Sequence, residues 1–160
     1  MKTCHYRNYT MSFVFESIRD EDKAGVIDLW QRNQALPPGE SAERRVAEIV
    51  IVVRESLSGI VVGVNSVFRA RLNPESQDYY VYRSFIDPAH RGSKLILFMT
   101  RFAYEGLNRR RHPGSPAGML FFTDNIKLQR TGIMERIKRE GWEYLGRGPL
   151  GRDLWRKLFF

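Results

Sequence analysis

The chain has a single cysteine, Cys4, in 160 residues, so no disulfide can form within it and nothing points to an oxidising compartment. With three histidines and that one cysteine, no spacing of metal ligands appears, and no metal is expected. No apolar run reaches the length of a membrane span, which argues against a membrane partner. The N-terminal stretch Met1 to Thr10 has basic residues but no apolar segment of the kind a secretory signal needs, and the protein is expected to be cytoplasmic. There is no phosphate-binding loop of the GxxxxGK[ST] type and no nucleophile elbow with a matching Ser-His-Asp order. Internal repeats and low-complexity tracts are also lacking.

What the chain does have is a globular composition, 42% hydrophobic and 28% charged, in a length that suits one domain. That domain is expected over residues 11–160, with residues 1–10 as a flexible extension. The formal charge of +8 favours anionic partners: a phosphorylated cofactor, nucleic acid or an acidic surface. The basic run Arg109-Arg110-Arg111 is the natural candidate for phosphate contacts with nucleic acid.

The elements follow from periodicity and punctuation. Phe13 to Arg19 alternates as a first strand, and Asp20, Glu21 and Asp22 open a helix with the acidic first turn that the helix dipole favours. Val26, Ile27 and Trp30 make its buried stripe. Leu36-Pro37-Pro38-Gly39 breaks the helix, and a short second one is expected over Ser41 to Glu48. Ile49 to Arg54 reads as a buried strand, and Ser56 to Gly59 as a turn. Ile60 to Leu72 is the returning strand, and Tyr79 to Ile86 the next. Gly92-Ser93 then opens a long helix ending near Asn108, with Leu95, Ile96, Phe98, Met99, Phe102 and Leu107 at helical spacing. Gly118 to Thr123 is a strand parallel to Tyr79–Ile86 through that helix, and the βαβ unit should cross right-handed. Asp124-Asn125 starts the last helix, which Thr131-Gly132 interrupts. Trp142 to Leu145 and Leu154 to Phe160 close the sheet.

The chain is organised around the junction Asp87-Pro88-Ala89-His90-Arg91-Gly92-Ser93. A strand-to-helix loop presents backbone N–H groups and the positive end of a helix dipole, a setting that suits a phosphate. On the residues alone it reads first as a plain turn capped by Ser93. The order Phe85-Ile86-Asp87-Pro88, then Arg91-Gly92, then an amphipathic helix resembles motif A of the GNAT superfamily of N-acetyltransferases. The string from Ile18 to Trp30 is similar to the opening of many such chains. The resemblance covers Phe13 to about Leu145. It implies an α/β fold with a mixed sheet of six or seven strands flanked by helices on both faces. It also implies an enzyme that transfers an acyl group, most often acetyl from acetyl-CoA, to an amine.

Carried over residue by residue, Phe85 and Ile86 would line the pantetheine arm, and Arg91, Gly92 and Ser93 would form the pyrophosphate loop. Lys94 and Ile96 stand where the family has small residues, so Lys94 would either add a positive charge or block the loop. Asn125 corresponds to a residue that often contacts the CoA arm. A frequent general-acid tyrosine of the family is replaced by Ile137. Glu16, Asp78, Asp87 and His90 are candidate bases, and Tyr80, Tyr82 and Tyr144 candidate acids, with none singled out as catalytic. The expected partners are an amine-bearing acceptor, nucleic acid through the basic surface, and a second copy as a homodimer. The alternatives are the same fold serving another acyl carrier, such as acyl carrier protein or aminoacyl-tRNA, and a non-catalytic nucleic-acid-binding module.

Overall fold

Five consecutive side chains, Ile49 to Val53, are each at most 1% exposed, as a strand covered on both faces requires. In the computed structural model, which describes residues 2–160, they belong to β3 (Ile49–Glu55). β3 pairs antiparallel with β2 (Tyr9–Phe13) on one side and with β4 (Val61–Arg71) on the other. In β2, Tyr9, Met11 and Phe13 are buried and alternate with half-buried Thr10 and Ser12.

The stretch expected as a flexible extension is instead paired in the sheet over residues 2–6 and 9–10. β1 (Lys2–Tyr6) pairs antiparallel with β2 from Lys2↔Phe13 to Tyr6↔Tyr9, and the hairpin turns at Arg7-Asn8 with Arg7 at φ 53°. The strand expected over Phe13 to Arg19 ends where it was thought to begin. Glu16 adopts φ 58°, a left-handed conformation that a strand cannot contain.

The remaining strands are β5 (Asp78–Ile86), β6 (Gly118–Thr123), β7 (Glu143–Arg147) and β8 (Asp153–Leu158). All eight form one mixed sheet in the order β1-β2-β3-β4-β5-β6-β8-β7, and β1 is the strand beyond the six or seven expected. β5 and β6 are parallel, with Tyr80 opposite Met119 and Val81 opposite Leu120. Their connection contains α3 (Leu95–Arg109). The other helices are α1 (Asp20–Arg32), α2 (Ala42–Val46) and α4 (Thr131–Arg139). Thr131-Gly132 thus begins a helix instead of interrupting one.

The single domain expected over residues 11–160 divides into two compact units. One comprises Met1–Val67 and Arg83–Arg110, the other Phe68–Tyr82 and Arg111–Phe160, so β4 and β5 each supply residues to both. In the first unit, Val26, Leu29 and Trp30 of α1 pack with Val46, Ile49, Val52, Val61 and Val64. α1 carries Asp20, Glu21 and Asp22 in its first turn. Asp22 is 1% exposed, and its carboxylate is paired with Arg54 at 2.8 Å and Arg19 at 3.2 Å. A carboxylate so deeply placed needs such partners. In the second unit, Tyr79, Val81, Leu120 and Leu154 form the core, and the Trp155 ring stacks on Phe121. No helix among the described residues is long and apolar enough to cross a membrane.

Candidate functional site

Pro88 stops β5 because it has no N–H for a further ladder bond. Asp87 turns the chain: its side chain accepts the Ala89 N–H at 3.0 Å, and Pro88–His90 makes one 3-10 turn. Two left-handed residues follow, Gly92 at φ 89° and Lys94 at φ 61°. α3 then begins at Leu95, two residues later than the sequence suggested, with Lys94 in the N-cap position. Ser93 does not cap the helix; its hydroxyl donates to the His90 carbonyl at 3.2 Å.

This geometry gives a physical reason for a small residue at the Lys94 position. A left-handed backbone costs an ordinary residue about 1–2 kcal/mol and glycine almost nothing. Lys94 adopts it all the same, with an exposed side chain that leaves its charge available.

A cavity of about 290 Å³ opens at this junction, lined by residues 84–86 of β5 and 90–96 of the loop and helix start. Six of the seven residues singled out for the cofactor line it: Phe85, Ile86, Arg91, Gly92, Ser93 and Lys94. No carboxylate lines it, while Arg91 and Lys94 do. Among the described residues, the backbone N–H groups of Gly92, Ser93 and Lys94 donate to no acceptor in the chain. A Cβ added at Gly92 would meet no atom within 4 Å beyond its chain neighbours, so the loop is open on that side. Unpaired amides, two cations and an open approach suit a phosphate-bearing group.

Arg91 is built in as much as presented. Its Nε donates to the Ile86 carbonyl at 2.9 Å, and the guanidinium carbon lies 5.6 Å from the centre of the Phe85 ring. That ties the loop back to the end of β5 through a hydrogen bond and a cation–π contact. Asn125 lies in the second unit, where its side chain accepts the Lys127 N–H at 3.1 Å and caps a 3-10 turn over Ile126–Gln129.

The hairpin missed in the sequence meets the loop directly. The Tyr6 hydroxyl donates to the Ser93 carbonyl at 2.7 Å, and the Tyr6 ring stacks on Phe98 with centroids 3.9 Å apart. The Tyr9 hydroxyl and His90 Nδ1 are hydrogen-bonded at 3.1 Å. The clue available in the sequence was the alternation Tyr9-Thr10-Met11-Ser12-Phe13.

Each of the three candidate carboxylate bases is held by a cation or an amide. Glu16 pairs with Arg110 at 3.4 Å. Asp78 is hydrogen-bonded by Arg71 at 2.7 Å, which holds its carboxyl below the usual range. Burial works against ionisation of Asp87, yet the Ala89 amide, Asn33 and Arg32 together keep its carboxyl below the ordinary value. A carboxylate with a lowered pKa is a weaker base near neutrality.

Tyr144 donates its hydroxyl to Asp153 at 2.8 Å, and Gln129 donates to the other carboxylate oxygen at 3.0 Å. The hydrogen bond to Asp153, followed by burial, raises the Tyr144 pKa. Asp153 is 5% exposed and was not singled out in the sequence. Of the basic run, Arg109 pairs with Glu105, and Arg110 pairs with Glu16 and donates to the Phe15 carbonyl. Among the described residues, no group of three or more His, Cys, Asp or Glu is arranged to hold a metal ion.

No family model matches the sequence, and none of the curated proteins matches it. Solved structures do. The ribosomal-protein-S5-alanine acetyltransferase from Vibrio fischeri aligns over 99% of this chain and 97% of its own, with a TM-score of 0.62 and 11% identity. An acetyltransferase of the GNAT family from Streptococcus pneumoniae aligns over 95% and 99%, with a TM-score of 0.63 and 11% identity. A Salmonella typhimurium protein solved with its cofactor acetyl-CoA aligns over 94% and 92%, with a TM-score of 0.62 and 14% identity.

Proposed function

Taking as premise that the chain has the fold of the GNAT acetyltransferases, we propose that it is an acyl-CoA-dependent N-acyltransferase that moves an acetyl group from acetyl-CoA to an amine-bearing acceptor. The observation that carries this reading is the set of unpaired Gly92, Ser93 and Lys94 amides around the cavity between β5 and α3. The Salmonella typhimurium structure solved with acetyl-CoA supports the choice of donor by its fold. In this reading, the three amides hold the pyrophosphate with help from the Lys94 ammonium. Phe85 and Ile86 flank the pantetheine arm. Arg91 keeps the loop seated on β5 through the Ile86 carbonyl. Acetyl-CoA supplies the thioester; the protein supplies position, and holding the two reactants together accounts for much of such a rate.

The test is binding. Ligand at a hundred times its dissociation constant stabilises a folded protein by about 2.7 kcal/mol. For a chain of this length that raises the melting point by about 5–11 °C. Native mass spectrometry of the purified protein should also find co-bound CoA. Gly92→Val should remove most of the shift, because it adds a branched side chain at φ 89° where an amide must meet phosphate. A melting point that stays constant up to millimolar acetyl-CoA refutes the proposal and favours another acyl carrier.

A further inference from the structure

We propose that the β1–β2 hairpin is a clamp that sets the shape of the anion loop, with Tyr6 and Tyr9 as positioning residues. The inference rests on the acyl-CoA reading above and says how this chain holds its loop in the binding shape.

The two tyrosines bracket the loop. Tyr9 holds His90, just before Arg91-Gly92, and Tyr6 holds Ser93, just after. Each hydroxyl sits at the tip of a stiff two-torsion side chain. Both side chains are themselves fixed. The Tyr6 ring is stacked on Phe98 of α3, with 23° between the planes. The Tyr9 ring is 6% exposed and meets the His90 ring edge-on at 5.8 Å.

The Tyr6 bond controls more than the atom it touches. A peptide unit is planar and trans, so its C=O and N–H point in opposite directions. Fixing the Ser93 carbonyl on the Tyr6 hydroxyl therefore fixes the Lys94 N–H facing away from Tyr6. That N–H is one of the three unpaired amides of the cavity. The same peptide precedes Lys94, whose φ of 61° is one that a lysine leaves unless its surroundings hold it there. Families that place glycine at this position need no such restraint. Here the hairpin supplies it, and the sequence keeps a cation beside the anion site.

The experiment compares Tyr6→Phe and Tyr9→Phe with the parent protein. Calorimetric dissociation constants are measured for acetyl-CoA and for S-acetylpantetheine, which has the thioester and arm but no phosphate. Tyr6→Phe keeps the ring stack and removes one hydroxyl. It should weaken acetyl-CoA about 3- to 10-fold, the size of one lost hydrogen bond. S-acetylpantetheine should be unaffected. Tyr9→Phe should weaken acetyl-CoA in the same selective way. Equal acetyl-CoA affinity in the parent and both variants overturns the clamp alone. So does an equal loss for both ligands, which a merely loosened fold would give. A parent that binds no acetyl-CoA overturns the acyl-CoA reading and the clamp with it.

Discussion

Gly106, in the second half of α3, is a site where the ordinary rule for helices should reverse. Replacing a helical glycine by alanine usually stabilises by about 1 kcal/mol. At Gly106, however, the new Cβ would stand 2.1, 2.3 and 2.9 Å from three atoms of the Phe13 ring. The ring has little freedom to retreat: Phe13 is 8% exposed, is anchored in β2, and meets Phe102 edge-on at 6.5 Å. Overpacking of this kind costs roughly 1–3 kcal/mol, and an anchored ring places it at the upper end. Subtracting the helix gain leaves Gly106→Ala less stable by about 2 kcal/mol. At about 2–4 °C per kcal/mol for a chain this long, the melting point should fall by about 4–8 °C. Urea unfolding should show a lower midpoint with an unchanged slope. Repeating the change in a Phe13→Leu background removes the ring atoms. There Gly106→Ala should be neutral or stabilising, a coupling of about 2–3 kcal/mol. A Gly106→Ala protein that melts above the parent would refute the seating of α3 against the hairpin.

Deleting residues 1–8 removes β1 and the Tyr6 contacts, and should cost about 3 kcal/mol in urea unfolding from the lost ladder bonds; unchanged stability would mean that β1 adds nothing to the fold. Asp87 has a folded pKa below its unfolded one, so its contribution to stability is complete above the ordinary carboxyl value of about 3.9 and is lost as pH falls through the folded value. Asp87→Asn should therefore lower stability at pH 7 and flatten its decline below about pH 4, as read by urea midpoints across the acid range. Tyr144 should ionise later than free tyrosine in an ultraviolet titration. Asp153→Asn should bring it back towards the ordinary range, and no difference would show that the Tyr144–Asp153 bond is not made in solution.

Much of the element order was legible because it rests on local patterns. The continuous apolar run from Ile49, the Ser-Gly turn before Ile60 and the Pro88 stop each have a local cause, and β3, β4, β5 and β6 lie where those patterns place them. The hairpin was missed although Tyr9, Met11 and Phe13 alternate, because nothing in the sequence says that β3 offers an edge for β2 to join. The helix start was placed two residues early for a different reason. Lys94 carries no mark of a left-handed conformation, which only the surrounding structure holds in place. Six residues expected at the cofactor loop line one cavity because they are neighbours in sequence, whereas Tyr6 and Tyr9 reach the loop across more than 80 positions. Asp153 escaped notice because a single aspartate in a strand looks solvated until its partners Tyr144 and Gln129 are seen.

The strand order also constrains how the chain is made. β8 follows β7 in sequence but lies between β6 and β7, pairing Gly118 with Leu158 across forty positions. On a ribosome, β6 and β7 emerge with no partner for each other. The edge of β6, carrying Met119, Leu120, Phe121 and Phe122, stays bare until Asp153–Leu158 has been added. Unpaired apolar edges of this kind invite pairing with other chains. The interval before β8 arrives is thus the time when a nascent chain most needs shielding, and its length is set by translation through the 29 residues between Thr123 and Asp153.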